Sequence, residues 1–336
     1  MPIREDILRP ARGNHAPRRP MTLGMITNPL SGGNKKGIQG VRAFLAQNPG
    51  MHHGMAVTPA DVSGLLADFS ERGVELLVVN GGDGTVQAVL TALFGRSLFP
   101  IPPVLALLRA GTTSMLARDV GVRGKPPDAL AKIHAWNMDA GRSNRAILER
   151  PIMRVSQEGR SKPVCGMFFG SGAILQGIDL CHGSMNPRGI RGELMPGLVM
   201  ARLVSAFLAG NEKLLPPTEM LIGLEGRQAS RQRYLFALVT TLERLFLGLR
   251  PFWGNEHAPL HFTAVKSKSA HLLRNLPFLL RGRHTATASP ENGFFSHNVQ
   301  RVRLDFRGRF TLDGEIFEAG APLTVESAGP ARFLHI

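Results

Sequence analysis

Between Val79 and Val86 the chain reads Asn80-Gly81-Gly82-Asp83-Gly84-Thr85, three glycines around one carboxylate. Backbone N–H groups with no side chains in the way can close on a phosphate, and a helix N-terminus adds a positive dipole end. A carboxylate repels phosphate unless a cation lies between them, so Asp83 points to a bridging Mg²⁺. A tight strand-to-helix turn with Asp83 as an ordinary helix N-cap accounts for the same residues. Two further loops repeat the pattern of small polar residues: Asn28, Ser31, Gly32 and Gly33 in one, and Gly111, Thr112 and Thr113 in the other.

These loops need elements to hold them. Val74 to Val79 is short, aliphatic and β-branched, as suits a strand buried on both faces, and Val86, Val89, Leu90 and Leu93 recur at helical spacing. The same order of strand, loop and helix occurs around Thr27, with a helix from about Ile38. It occurs again in His53–Thr58, followed by Val62, Leu65, Leu66 and Phe69, and in the strand before Gly111. Alternating strands and helices predict a mostly parallel α/β sheet whose carboxyl-end loops gather in one crevice. After Gly141 the segments become short, β-rich and turn-bounded, which predicts a β-sandwich interrupted by helices at about 190–210 and 268–281. The expected division is a flexible basic arm over 1–20, an α/β domain over 21–140 and a sandwich domain over 141–336.

Forty Lys and Arg against 25 Asp and Glu give a net charge of +15, a field suited to nucleic acid, an anionic membrane or acidic substrates. One Tyr and two Trp, with no aromatic-basic motif, argue against nucleic acid. Cys165 and Cys181 make neither a disulfide framework nor a zinc spacing, and a reduced cytoplasmic setting is expected. No apolar run spans a bilayer: Leu194–Leu208 is broken by Arg202, and Tyr234–Leu249 by Glu243 and Arg244. Lys266, Lys268, Arg274, Arg281 and Arg283 flank Leu272, Leu273, Leu276, Phe278, Leu279 and Leu280. That mixture fits an interfacial helix on an anionic membrane or a core helix with a solvated basic face, with Pro277 expected to kink or divide it. Nothing in the sequence sets an oligomeric state.

Taken in order, Asn28-Pro29-Leu30-Ser31-Gly32-Gly33, the GGDGT run, Arg109 to Ala117, and Leu312-Asp313-Gly314-Glu315 resemble the diacylglycerol kinase catalytic-domain family, which includes bacterial lipid, sphingosine and ceramide kinases. The resemblance runs from about Met21 to the end. It implies an NAD-kinase-like nucleotide domain, a C-terminal sandwich shaping a lipid pocket, and transfer of the γ-phosphoryl group of ATP, with Mg²⁺, to a lipid hydroxyl. The lipid would be diacylglycerol-like or sphingoid/ceramide-like, met by an enzyme docked peripherally on the inner face of the membrane. By the same resemblance Asn28, Ser31, Gly32, Gly33, Thr58, Gly81 to Thr85, Gly111, Thr112 and Thr113 would hold the nucleotide, with Asp83 at the metal. Asp313 would be the general base, with Glu315 beside it; alone, Asp313-Gly314 reads as a hairpin turn. The chain departs from the family at Gln87-Ala88, where Asn-Glu is usual, and at Arg109 and Ser114 in the Pro-x-Gly-Thr-x-Asn loop. An NAD kinase, which shares GGDG, and a lipid-binding pseudokinase are the competing readings.

Overall fold

The computed structural model describes residues 18–160, 162–182, 202, 205 and 213–336. The arm expected at 1–20, up to residue 17, lies outside them, as does the helix expected at about 190–210 apart from Arg202 and Ser205. Four strands of the first half are parallel: β1 (Leu23–Thr27), β2 (His52–Met55), β3 (Leu76–Gly81) and β4 (Val104–Arg109), in the order β2-β1-β3-β4. Every residue of β3 is buried, because helices cover both faces of the sheet. Leu77 and Val79 face one core with α2 (Pro59–Glu71), α3 (Asp83–Leu90) and α4 (Met115–Val120). Leu76 and Val78 face the other with α1 (Asn34–Gln47) and α5 (Pro126–Met138).

Helix α1 begins at Asn34, earlier than its apolar periodicity suggests, because the buried Asn34 amide donates to the carbonyls of Asn28 (2.8 Å) and Asn80 (3.1 Å). This bond pair fastens the first loop to the end of β3. Strand β2 ends at Met55 rather than Thr58, since Thr58 and Asp61 form a capping box that starts α2.

Among the described residues, the strands of the second half pair mainly antiparallel and are turn-bounded. It comprises β5 (Ile147–Gln157), β6 (Val164–Gly166), β7 (Phe168–Gly172), α6 (Ala173–His182), β8 (Thr218–Leu224), β9 (Ser230–Thr240), β10 (Leu260–Lys266), α7 (Leu272–Leu279), β11 (Phe294–Val299), β12 (Arg301–Asp305), β13 (Gly308–Leu312), β14 (Glu315–Ala319) and β15 (Leu323–Leu334). Its own core includes Phe169, Phe310 and Phe317, whose rings stack at 5.2 and 5.4 Å. Strand β15 pairs with β5 and β12 and then reaches β4 through Phe333 and Leu105, joining the two sets of strands edge to edge. Helix α7 is shorter than the 268–281 expected. It starts after His271, held at φ +59°, and Pro277 lies inside it without dividing it.

Candidate functional site

The crevice at the carboxyl ends of β1, β3 and β4 brings the three glycine loops into contact. Ser31 Oγ accepts from Gly82 N at 3.1 Å, Asn28 donates through Nδ2 to Thr85 Oγ1 at 3.0 Å, and Gly33 N donates to Ala110 O at 2.8 Å. A Cβ on Gly32 would fall 2.7 Å from Thr112 Oγ1, and one on Gly111 would fall 2.7 Å from the Gly82 Cα. At Gly111 glycine is required by close approach of one backbone to another, whereas at Gly32 the neighbour is a side-chain hydroxyl. Helix α3 starts at Asp83 with no side-chain cap on its first N–H groups, which leaves a positive helix end facing the crevice. Thr112 and Thr113 are exposed at its rim. Thr58 is exposed beyond the edge strand β2, where its hydroxyl accepts from Asp61 N at 3.2 Å as the cap of α2.

Asp83 caps a helix other than the one it begins. Its two oxygens accept from Met115 N (3.0 Å) and Leu116 N (3.1 Å), the first two N–H groups of α4. Ser114, at φ +47°, turns the chain into α4 and locks the preceding loop by accepting from Gly111 N at 2.9 Å. Burial raises the Asp83 pKa above its ordinary value, against the pull of those two N–H bonds and of Arg118.

Asp313 comes to this place from the other end of the chain. It lies in the β13–β14 turn at φ +52° with 1% of its surface exposed. One oxygen accepts from Phe168 N at 2.8 Å, and both accept from Met167 N at 3.1 Å. Burial drives its pKa well above the carboxylate range, and the nearby charge of Asp83 adds to the shift. Glu315 is exposed and packs over Gly84, where any Cβ would overlap its carboxylate. The hairpin reading of Asp313-Gly314 and its place beside the glycine loops thus hold together.

Several contributors have no motif. Gln87 donates to Thr91 Oγ1 (2.9 Å), and Thr91 bonds both the N (2.9 Å) and O (3.2 Å) of Cys165, so the position where the family has Asn ties α3 to β6. Asp179 pairs with Arg309 at 2.7 Å. Next to both aspartates lies a cavity of about 340 Å³ whose lining includes Asp83, Thr113, Asp313 and Gly314. The remainder is almost wholly aliphatic and aromatic, with Ile174, Leu238, Phe246, Trp253, Leu272 and Leu276 among it. A larger cleft of about 640 Å³ elsewhere has acidic and basic side chains in its wall, including the paired Arg231 and Asp305 (2.7 Å), and includes none of the glycine loops. Only the apolar periodicity of the separate segments signals the smaller cavity in the sequence.

The residues present fit a nucleotide with a divalent cation. The glycine contacts leave a side-chain-free cradle, and α3 offers an uncapped N-terminus. Among the described residues no group of three or more His, Cys, Asp or Glu is placed to hold a metal. Mg²⁺ binds through one or two carboxylates and otherwise through phosphate and water, and Asp83 is a carboxylate at this cradle.

Residues 22–142 match the family described as the diacylglycerol kinase catalytic domain. Over 110 residues the chain is 31% identical to "Probable lipid kinase YegS-like" of Stenotrophomonas maltophilia (strain K279a), a match that covers 32% of this chain and 36% of that relative. A structure assigned as a diacylglycerol kinase from Bacillus anthracis str. Sterne superposes with a TM-score of 0.64 at 18% identity, covering 96% of this chain and 98% of that one. A diacylglycerol kinase structure from the same organism gives 0.59 at 16%, covering 95% and 98%. At such identity these likenesses establish the fold.

Proposed function

We propose that the chain, whose residues 22–142 match the diacylglycerol kinase catalytic domain, is an ATP-dependent lipid kinase acting on a hydroxyl of a diacylglycerol-like or sphingoid/ceramide-like lipid. The observation that carries this reading is the apolar cavity with Asp83 and Asp313 in its wall. It offers a hydrocarbon chain a dry site beside the place where a phosphate would sit. An NAD kinase has no use for such a surface on its acceptor side.

In this reading the glycine loops hold the triphosphate through backbone N–H groups, and Asp83 and Glu315 are the carboxylates available to Mg²⁺. Held there, the cation would supply positive charge to offset that of the phosphates. Asp313 takes the proton of the lipid hydroxyl while the new O–P bond forms and ADP leaves with the electrons of the broken bond. A raised pKa suits that role, because a carboxylate that is hard to ionise is a stronger base once ionised.

The membrane is the proposed source of substrate. Helix α7 buries Leu272 and Leu279, lines the cavity with Leu273 and Leu276, and leaves Leu273 and Phe278 42% and 45% exposed. Arg274, Arg281 and Arg283 are exposed on or just beyond the same helix. A packed side together with an exposed apolar and basic side supports docking on an anionic bilayer. Among the described residues no helix is long and apolar enough to cross a membrane. Incubation of the purified protein with γ-³²P-ATP, Mg²⁺ and total bacterial lipid extract tests the function: a labelled lipid identifies the acceptor class. Label on added NAD⁺ would move the chain to the NAD kinases, and label on neither would leave a binding protein.

A further inference from the structure

Helix α4 is held by a carboxylate at each end. Asp83 accepts from its first two N–H groups, and Asp119 in its last turn accepts from the backbone N–H groups of Glu243 and Arg244, each at 3.2 Å. The Asp119 side chain is 5% exposed, and Arg150 lies 3.9 Å from it while also reaching Glu243 at 3.6 Å. Glu243 in turn meets Arg250 at 3.5 Å. The segment so fastened is the loop after β9. It closes on itself through Leu245 N to Leu249 O (2.8 Å), and it contributes Leu245, Phe246, Leu249 and Pro251 to the apolar cavity.

We propose that Asp119 is a positioning residue that couples the nucleotide loops to the wall of the lipid cavity through α4. This rests on the kinase reading and adds a consequence to it. A cation that draws on the Asp83 carboxylate competes with Met115 N and Leu116 N, and so shifts the start of α4. A six-residue helix is too short to absorb that shift by bending, so it is passed to the far end. There Asp119 is hydrogen-bonded to the backbone of Glu243 and Arg244, and Leu245, Phe246 and Leu249 follow. Burial raises the Asp119 pKa against the pull of its two N–H bonds and of Arg150. Nucleotide occupancy would thereby set the shape of the lipid site, and by linkage the lipid would set nucleotide affinity.

Trp253 lines the cavity, and the only other tryptophan is Trp136. Trp136→Phe leaves Trp253 as the sole reporter. In that background the Mg²⁺ complex of a non-hydrolysable ATP analogue, AMP-PNP, is added while emission is followed, with nucleotide binding measured in parallel by calorimetry. The expected result is a nucleotide-dependent change in Trp253 emission that Asp119→Ala abolishes while nucleotide binding persists. A purely structural tie would lower the melting temperature yet leave the nucleotide response in place, and a retained response in Asp119→Ala overturns the proposal. Bound nucleotide with a silent Trp253 overturns it too, and leaves the kinase reading intact. Absence of nucleotide binding by the unaltered chain overturns both. Should Asp119→Ala fail to fold, Asp119→Asn keeps one acceptor oxygen for two donors; a reduced response supports the coupling and an undiminished one removes it.

Discussion

Asp313 carries the chemistry in the proposed reaction, and its burial makes the consequence testable. A general base contributes roughly 10²- to 10⁴-fold to rate, so Asp313→Asn should lower kcat by that order with little change in the KM for ATP. The group must be ionised to accept a proton, and burial raises its pKa well above the ordinary value. The acid limb of kcat is therefore expected at a pH above the usual carboxylate range, and steady-state rates across pH will show it. The linked stability has the opposite sense. A raised folded pKa stabilises the fold below the unfolded value, and that contribution is lost as pH rises through the folded value. Asp313→Asn should flatten that slope in a series of melting temperatures. Asp83 differs because its carboxylate also holds α4. Asp83→Asn should abolish turnover and destabilise the fold by about 1 kcal/mol, the usual worth of a helix cap. Retained turnover with the lowered melting temperature would leave Asp83 a cap alone.

Among the elements, the decisive contact is between two turns. Gly82 and Gly111 follow neighbouring parallel strands, and a methyl group on Gly111 would meet the Gly82 Cα at 2.7 Å. Backbone cannot swing aside as a side chain can, so Gly111→Ala should push the loops apart. Calorimetry is expected to show weakened nucleotide binding, while the melting temperature falls less than for a core substitution. Unchanged nucleotide affinity would place the phosphates elsewhere in the crevice. The strands and loops behind this contact were legible in the sequence, since buried strands and glycine turns are local signals. Helix boundaries were less so. The start of α1 at Asn34 and the end of β2 at Met55 depend on a side-chain bond to a distant carbonyl and on a capping box, neither of which periodicity records.

For the whole molecule, a net charge of +15 and an apolar cavity walled by a half-exposed helix bear on the same question, how a lipid reaches the site. Each basic residue near an anionic surface contributes about 1 kcal/mol. Neutralising Arg274, Arg281 and Arg283 together should then weaken binding to anionic liposomes on the order of 100-fold at low salt. Co-sedimentation measures this, and unchanged binding by the triple variant would remove α7 as the docking surface. By itself the sequence determined the parallel α/β order and the three glycine loops. Those follow from which backbone shapes and apolar spacings a short stretch can adopt. Only the tertiary structure decided that Asp83 caps α4, that Asp313 arrives buried beside it, and that remote apolar segments enclose one cavity. Each of these depends on packing between segments far apart in the chain. A carboxylate's partners and a cavity's walls come from long-range contacts that leave no mark on local composition.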